Sequence, residues 1–277
     1  MFEKHKGRKR SKGLNPLETA VRSRDSDILA MVERALRHKE VMLAYQPVVV
    51  TDDPRRIAFY EGLIRVLDET GRVIPARDFM PVAEATDMGR IIDRIALEFG
   101  LLELCRNPQL RLSINLSAKS LHDPKWHKVL HHGLARDGTV GERLILEITE
   151  ESVMTRPEQV LDIMDDIQLK GVAFALDDFG AGRTAIRYFK DFAFDILKID
   201  GSLIRGIDTS PDNQAIVRAL MSIGQHFEMF TIAEHVETKE QADCLRALGV
   251  DCLQGYFFGA PSLRPAWHQS RTRKRLA

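Results

Sequence analysis

Apolar residues follow two rhythms along this chain. Short runs rich in β-branched and aromatic residues, the pattern of strands, occur at Val41–Val50, Ile57–Arg65, Leu110–Leu116, Leu144–Thr149, Val172–Asp177, Phe194–Asp200, Phe230–Glu234 and Val250–Phe258. Elsewhere the spacing changes to threes and fours. Residues 157–169 place Val160, Leu161, Met164 and Ile167 on one helical face, and residues 213–227 do the same with Ile216, Leu220, Ile223 and Phe227. Residues 238–248 open with Thr238 and Gln241, the spacing of a capping box, and continue to Leu245 and Leu248. Ahead of the first strand, Pro16 to His38 carries Leu17, Val21, Ile28, Met31, Val32 and Leu36 at helical intervals. Strands alternating with helices imply βαβ units and a parallel sheet. Eight such strands within about 220 residues favour a closed (β/α)₈ barrel over an open sheet.

Length agrees with that reading. A barrel of this kind takes about 250 residues, and the chain has 277. With 44% hydrophobic and 29% charged residues, the chain is expected to fold rather than to be disordered. No stretch reaches the length of a membrane span, and the N-terminus lacks the apolar core of a secretory signal, so a cytoplasmic protein is expected. Cys105, Cys244 and Cys252 are odd in number and far apart, which suits buried thiols in a reducing compartment better than a disulfide frame or a zinc site.

Charge changes the picture more. The formal net charge is zero, yet residues 1–13 carry +5, residues 264–277 carry +5, and the body between them carries −10. The expected organisation is a flexible basic arm over 1–16, one domain over 17–263 and a basic tail over 264–277. Clustered Lys and Arg gain from polyanions, so weak contact of the two ends with membrane lipid or nucleic acid is a candidate role.

The acids of the body collect where a barrel keeps its chemistry, at strand ends. Glu61 and Arg65 lie in the second run. Asn115 ends Leu-Ser-Ile-Asn. Glu147 and Glu150 end Leu-Glu-Ile-Thr-Glu. Asp177 and Asp178 end Ala-Leu-Asp-Asp. Lys198 and Asp200 end Leu-Lys-Ile-Asp. Glu234 and Glu237 close Ile-Ala-Glu-His-Val-Glu, and Gln254 follows Asp251-Cys-Leu. Carboxylates converging on one barrel mouth repel one another and cost energy to bury. A divalent cation relieves both effects, and an all-oxygen donor set suits hard Mg²⁺ or Mn²⁺ rather than Zn²⁺. The adjacent Asp177-Asp178 pair has the form to serve two cations, which would clamp the attacking and leaving oxygens of a phosphodiester. One lysine among many acids is placed to orient water.

The ordered set resembles an EAL domain, a bacterial family of cyclic di-GMP phosphodiesterases, over about residues 17–263. The resemblance rests on Tyr45-Gln46-Pro47, Glu61-Gly62-Leu63-Ile64-Arg65, Phe79-Met80-Pro81-Val82-Ala83-Glu84, Asn115-Leu116-Ser117, Glu147-Ile148-Thr149-Glu150, Asp177-Asp178-Phe179-Gly180, Lys198-Ile199-Asp200, Ala233-Glu234-His235-Val236-Glu237 and Gln254-Gly255-Tyr256. It implies a modified barrel with an antiparallel first strand and hydrolysis of cyclic di-GMP to linear pGpG. It also implies two divalent cations, Mg²⁺ or Mn²⁺. Glu61, Asn115, Glu147 and Asp177 would hold the first, and Asp177 and Asp178 would serve the second. Lys198 and Glu234 would position and deprotonate water, with Glu61 also essential to the reaction. Glu237 and Gln254 would support the cation site. Glu150 would anchor the loop after Asp178, which couples to packing in a homodimer. Gln46 and Arg65 would face substrate phosphates. The chain reads as a stand-alone EAL domain, with motility and biofilm formation as the family's usual outputs.

Four departures stand out. Gly62 replaces the alanine of the family's name motif. Ala181, Arg183 and Ala185 alter the loop after Asp178. His235 takes the place of a usual glycine, and Ala260 that of a common basic residue. The alternative reading is therefore a catalytically weak EAL domain that acts as a cyclic di-GMP receptor or protein-interaction module.

Overall fold

The eight apolar runs become the staves of one closed barrel in a computed structural model that describes residues 16–155, 157–181 and 190–268. The strands are β1 (Val41–Val50), β2 (Ile57–Leu67), β3 (Val73–Pro75), β4 (Leu112–Asn115), β5 (Leu144–Thr149), β6 (Ala173–Phe179), β7 (Ile196–Ile199), β8 (Phe230–Ala233) and β9 (Cys252–Gln254). From β2 through β4 to β9 each neighbour in the ring is parallel. β1 closes the ring antiparallel to both β2 and β9. The expected barrel with one reversed first strand is the observed fold.

β3 was not announced by the sequence pattern. It pairs with the end of β2 around Val66 and lies outside the ring. Its hairpin is set by Asp68, whose Oδ1 accepts the N–H groups of Thr70 at 2.9 Å and Arg72 at 3.0 Å, and by Gly71 at φ 80°. The last strand is shorter than its apolar run, Cys252–Gln254 against the expected Val250–Phe258. At Gly255 a Cβ would lie 2.0 Å from the Val236 carbonyl oxygen, so the chain crosses the neighbouring loop there and turns.

Around the ring run α1 (Pro16–His38), α2 (Met80–Ala83), α3 (Asp87–Arg106), α4 (Pro124–Arg136), α5 (Glu150–Thr155), α6 (Pro157–Gln168), α7 (Gly201–Ile204), α8 (Pro211–His226) and α9 (Lys239–Leu248). The capping box read at Thr238 and Gln241 is formed, and α9 ends on Gly249 in the left-handed region. α3 and α4 fall in stretches where no helical face was read. α3 buries Gly89, Asp93, Gly100 and Glu103 along with its aliphatic residues, so its buried face is not a clean apolar stripe.

Outward-facing strand residues such as Leu112, Ile114 and Leu146 pack with the helices in one large core. Inward-facing residues Val48, Phe59, Ile145, Ala175, Ile196 and Ile232 form a second, separate apolar layer inside the ring. Gly62 belongs to this packing. A Cβ there would sit 2.7 Å from Ile114 Cδ1 and 3.3 Å from the Ser113 carbonyl oxygen, so glycine is the residue that fits beside Ile114.

The arm expected over 1–16 lies outside the described residues except for Pro16, and the tail expected over 264–277 lies outside them beyond His268. The described part of that tail packs on the barrel. Trp267 makes edge contacts with Tyr45 and Tyr60, at ring centroid distances of 5.1 and 4.6 Å, and donates to Glu103 Oε2 at 3.1 Å. No helix among the described residues is long and apolar enough to cross a membrane.

Asp93 couples α3 to the segment after β4. Its buried Oδ2 accepts the Ser117 N–H at 3.1 Å and the hydroxyls of Ser117 and Ser120 at 2.6 Å each. Burial pushes the Asp93 carboxyl above its ordinary range, and these hydrogen bonds only partly offset it. Asp93→Ala would remove the carboxylate acceptor of both hydroxyls and of the Ser117 N–H, leaving only the Ser117 to Ser120 hydroxyl contact at 3.2 Å. The expected cost is about 2–4 kcal/mol by urea denaturation, and a change below about 0.5 kcal/mol would contradict this role.

Candidate active site

Period-two alternation aims one residue from each of six barrel strands into the open end of the ring. Glu61 comes from β2, Asn115 from β4, Glu147 from β5, Asp177 from β6, Lys198 from β7 and Gln254 from β9, with Glu234 just past β8. Lys198 is the hub. It is fully buried, and its Nζ lies 2.8 Å from Glu147 Oε2, 2.8 Å from Glu234 Oε1, 3.0 Å from Asp177 Oδ1 and 4.0 Å from Glu61 Oε2. It does not pair with Asp200, which instead caps α7 by accepting the Ser202 N–H at 2.9 Å.

A second chain of contacts fixes Glu61. Asn115 Nδ2 donates to its Oε1 at 2.8 Å, and Gln254 Nε2 donates to its Oε2 at 2.6 Å. Gln254 Nε2 also reaches Gln46 Oε1 at 3.4 Å, and Gln46 Nε2 donates to the Gly259 carbonyl at 3.1 Å. Asn115 and Gln254 thus spend their amide donors on protein, which leaves their carbonyl oxygens for another partner.

The electrostatics follow from burial and crowding. Burial and the charge of Glu61 push the Glu147 carboxyl up to about 8. Burial and Asp177 raise Glu234 well above the carboxylate range. Glu61 is held below its ordinary value despite its burial, because Lys198 attracts its charge and Gln254 and Asn115 donate to it. Carboxylates outweigh burial at Lys198, chiefly Asp177 and Glu147, and raise it far above an ordinary lysine. Asp178 is exposed, and partial desolvation together with Asp177 brings it to about 6.

Backbone strain marks the same rim. Asp178 and His235 hold φ of 56° and 55°, the left-handed region that costs a non-glycine residue about 1 kcal/mol. Such a backbone favours glycine, the residue that the family resemblance led one to expect at position 235. A Cβ on Gly201 would lie 2.5 Å from the His235 ring, so the histidine packs over that glycine.

The remaining expected residues divide. Arg65 is buried beside the cluster, where Nη1 donates to the Ile64 carbonyl at 2.8 Å. Glu150 is buried at the start of α5, but Gly182, Arg183, Thr184 and Ala185 of the loop it would anchor lie outside the described residues. Glu237 is exposed, and its backbone N–H donates to Gln241 Oε1 at 2.8 Å. Its carboxylate has no hydrogen bond or ion pair with the Lys198 cluster among the described residues. Sequence reading also missed the Glu61–Asn115–Gln254 bridge. Amides at two strand ends were the only signal for it.

A cation fits this donor set. Glu147 Oε1 and Gln254 Oε1 are buried without a hydrogen-bond partner among the described residues. Asp177, Asp178 and Glu234 bring carboxylate oxygens within 4.8 Å of one another. Four carboxylates around one ammonium leave an excess of negative charge, and every free donor is oxygen.

Known proteins agree with the geometry. The EAL domain family profile matches residues 29–261. The cyclic di-GMP phosphodiesterase PdeF of Escherichia coli K12 is 31% identical over 242 residues, which covers 85% of this chain and 32% of that protein. A signaling protein of Caulobacter vibrioides is 34% identical over 234 residues, covering 83% of this chain and 29% of that protein. The chain thus spans about a third of the length of these relatives. Among solved structures, the PaMucR phosphodiesterase in complex with c-di-GMP matches with a TM-score of 0.79 at 28% identity, covering 88% of this chain and 99% of that one. The FimX EAL domain of Pseudomonas aeruginosa bound to c-di-GMP matches with a TM-score of 0.76 at 25% identity, covering 86% and 97%.

The raised carboxyls set a stability profile for the protein held in chelator. Groups whose folded pKa lies above the unfolded value contribute stability that is present at low pH and lost as pH rises through the folded value. With Asp178 at about 6 and Glu147 at about 8, the melting temperature in chelator should fall between about pH 5 and about pH 8. Glu147→Gln should flatten that fall. An unchanged slope in the variant would contradict the assignment.

Proposed function

The chain belongs to the EAL domain family, and we propose that it hydrolyses cyclic di-GMP to linear pGpG with Mg²⁺ or Mn²⁺ bound among its strand-end carboxylates. The observation that carries this reading is the unpartnered, buried Glu147 Oε1 beside a lysine already shared by four acids. Such an arrangement is costly on its own and is relieved by cations. Glu61, Asn115, Glu147 and Asp177 would hold one cation, and Asp177 with Asp178 the other. Bound there, the cations would polarise the phosphoryl oxygens and acidify water.

The chain's own groups do the rest. Lys198 fixes Glu147, Asp177 and Glu234 in one arrangement and orients the attacking water. Glu234 accepts the proton that water loses. Burial and Asp177 raise Glu234, and its carboxylate would be ionised for this role once cation charge offset them. Water's oxygen bonds to phosphorus as the bond to the ribose oxygen breaks, and that oxygen takes a proton from solvent. Gln46 and Arg65 would hold phosphate oxygens, Arg65 by charge-assisted donation. Tyr256 and Phe257, exposed just beyond Gln254, offer ring faces to a base. Gln254 supports the cation site through Glu61. Glu237 is exposed, so support from it would pass through the loop it shares with Glu234. The same reading makes the protein a cytoplasmic homodimer in which Glu150 anchors the loop after Asp178.

Chromatography of cyclic di-GMP incubated with the protein and Mg²⁺ or Mn²⁺ should show linear product. Glu61→Gln and Lys198→Ala should each cut the rate by about 10³-fold or more, with folding checked by melting temperature. Tight binding with no product under either cation would overturn the enzyme reading in favour of a receptor.

A further inference from the structure

The barrel has a second opening. At the N-terminal ends of the parallel strands, opposite the acid cluster, lies a cavity of about 670 Å³. That is the size of a small-ligand pocket, in a place where barrels of this type are filled by layers of large side chains. Its inner wall is the apolar layer of Phe59, Ile145, Ile196 and Ile232. Ala58 and Ala173 line it where larger residues would fill the floor.

The rim is polar, and its charges are unequally committed. Arg143 donates to the carbonyls of Leu104, Asn107 and Leu110, and Arg246 donates to the Thr51 carbonyl and pairs with Asp243. Asp195 and Asp251 accept the backbone N–H groups of Phe174 and Thr231, each at 2.8 Å. Exposed Arg56 and Arg111 remain, with exposed Asp52 and Glu142, and none of these four side chains has a hydrogen bond or ion pair among the described residues. Thr51 also lines the cavity. It is only 3% exposed, and its Oγ1 has no hydrogen-bond partner there.

We propose that this cavity is a ligand site, separate from the acid cluster, for a small zwitterion with a large apolar body, the chemistry of an aromatic or branched α-amino acid. The apolar body packs on Phe59, Ile145, Ile196 and Ile232. Arg56 and Arg111, at the starts of the neighbouring strands β2 and β4, take the carboxylate, one of the free carboxylates flanking them, Asp52 or Glu142, takes the ammonium, and Thr51 Oγ1 supplies a neutral contact. A ligand with only one charge would leave one half of the rim without a partner.

Calorimetry with L-tryptophan, indole-3-propionate and tryptamine tests this on the whole protein. Tryptophan should bind saturably with one site per chain. The analogues lacking ammonium or carboxylate should each bind at least about tenfold more weakly. Arg56→Ala/Arg111→Ala, both at exposed positions, should keep the melting temperature and weaken tryptophan at least about tenfold. No saturable binding at millimolar tryptophan, equal affinity for either analogue, or an unchanged affinity in the double variant would overturn the proposal. The assay contains neither cyclic dinucleotide nor divalent cation, so its failure leaves the proposed hydrolysis untouched.

Discussion

One buried ammonium holds the open end of this barrel together. Lys198 meets Glu147, Glu234 and Asp177 within 3.0 Å and Glu61 at 4.0 Å, with almost none of its own surface in water. Removing one side of such a buried pair usually costs about 3–5 kcal/mol, because the partner is left charged and dry. Here one cation answers to four acids. The acids remain in excess, and the raised Glu147 and Glu234 carboxyls express it. That excess is the physical basis for bound cations at the site, and Asn115 and Gln254 fit the same logic. Their amide donors neutralise part of Glu61 while their carbonyls stay available.

The barrel makes this arrangement affordable by stacking it in layers. Five of the site residues lie two positions along the chain from a residue of the inner apolar layer: Glu61 from Phe59, Glu147 from Ile145, Asp177 from Ala175, Lys198 from Ile196 and Glu234 from Ile232. The apolar layer desolvates the base of the cluster and fixes its height in the ring. The same layer is the inner wall of the cavity at the other end. The two ends of the barrel therefore share one sheet of side chains.

How much was legible in the sequence follows from which interactions are local. The strands and the inward acids were readable because alternation and burial act over two residues, and the capping box at Thr238 because it spans four. The barrel's reversed first strand came from the family resemblance, since no local pattern encodes direction. Strand limits were overread where backbones approach closely, as at Gly255. α3 was missed because its buried face includes Asp93 and Glu103, whose partners Ser117, Ser120 and Trp267 come from distant segments. For the same reason the bridge from Glu61 to Asn115 and Gln254 was invisible. It joins residues 54 and 193 positions apart. Glu237 was expected to support the cation site, yet it stands exposed three residues after the buried Glu234.

The central claim is that the Lys198 cluster is built to hold divalent cations. Crystals grown with Mn²⁺ and measured for anomalous scattering test it most directly. Manganese density is expected in contact with Glu147 Oε1 and Asp177, with Glu61, Asn115 and Asp178 completing the shell. A well-ordered Lys198 cluster at saturating Mn²⁺ with no anomalous density beside it would contradict the account.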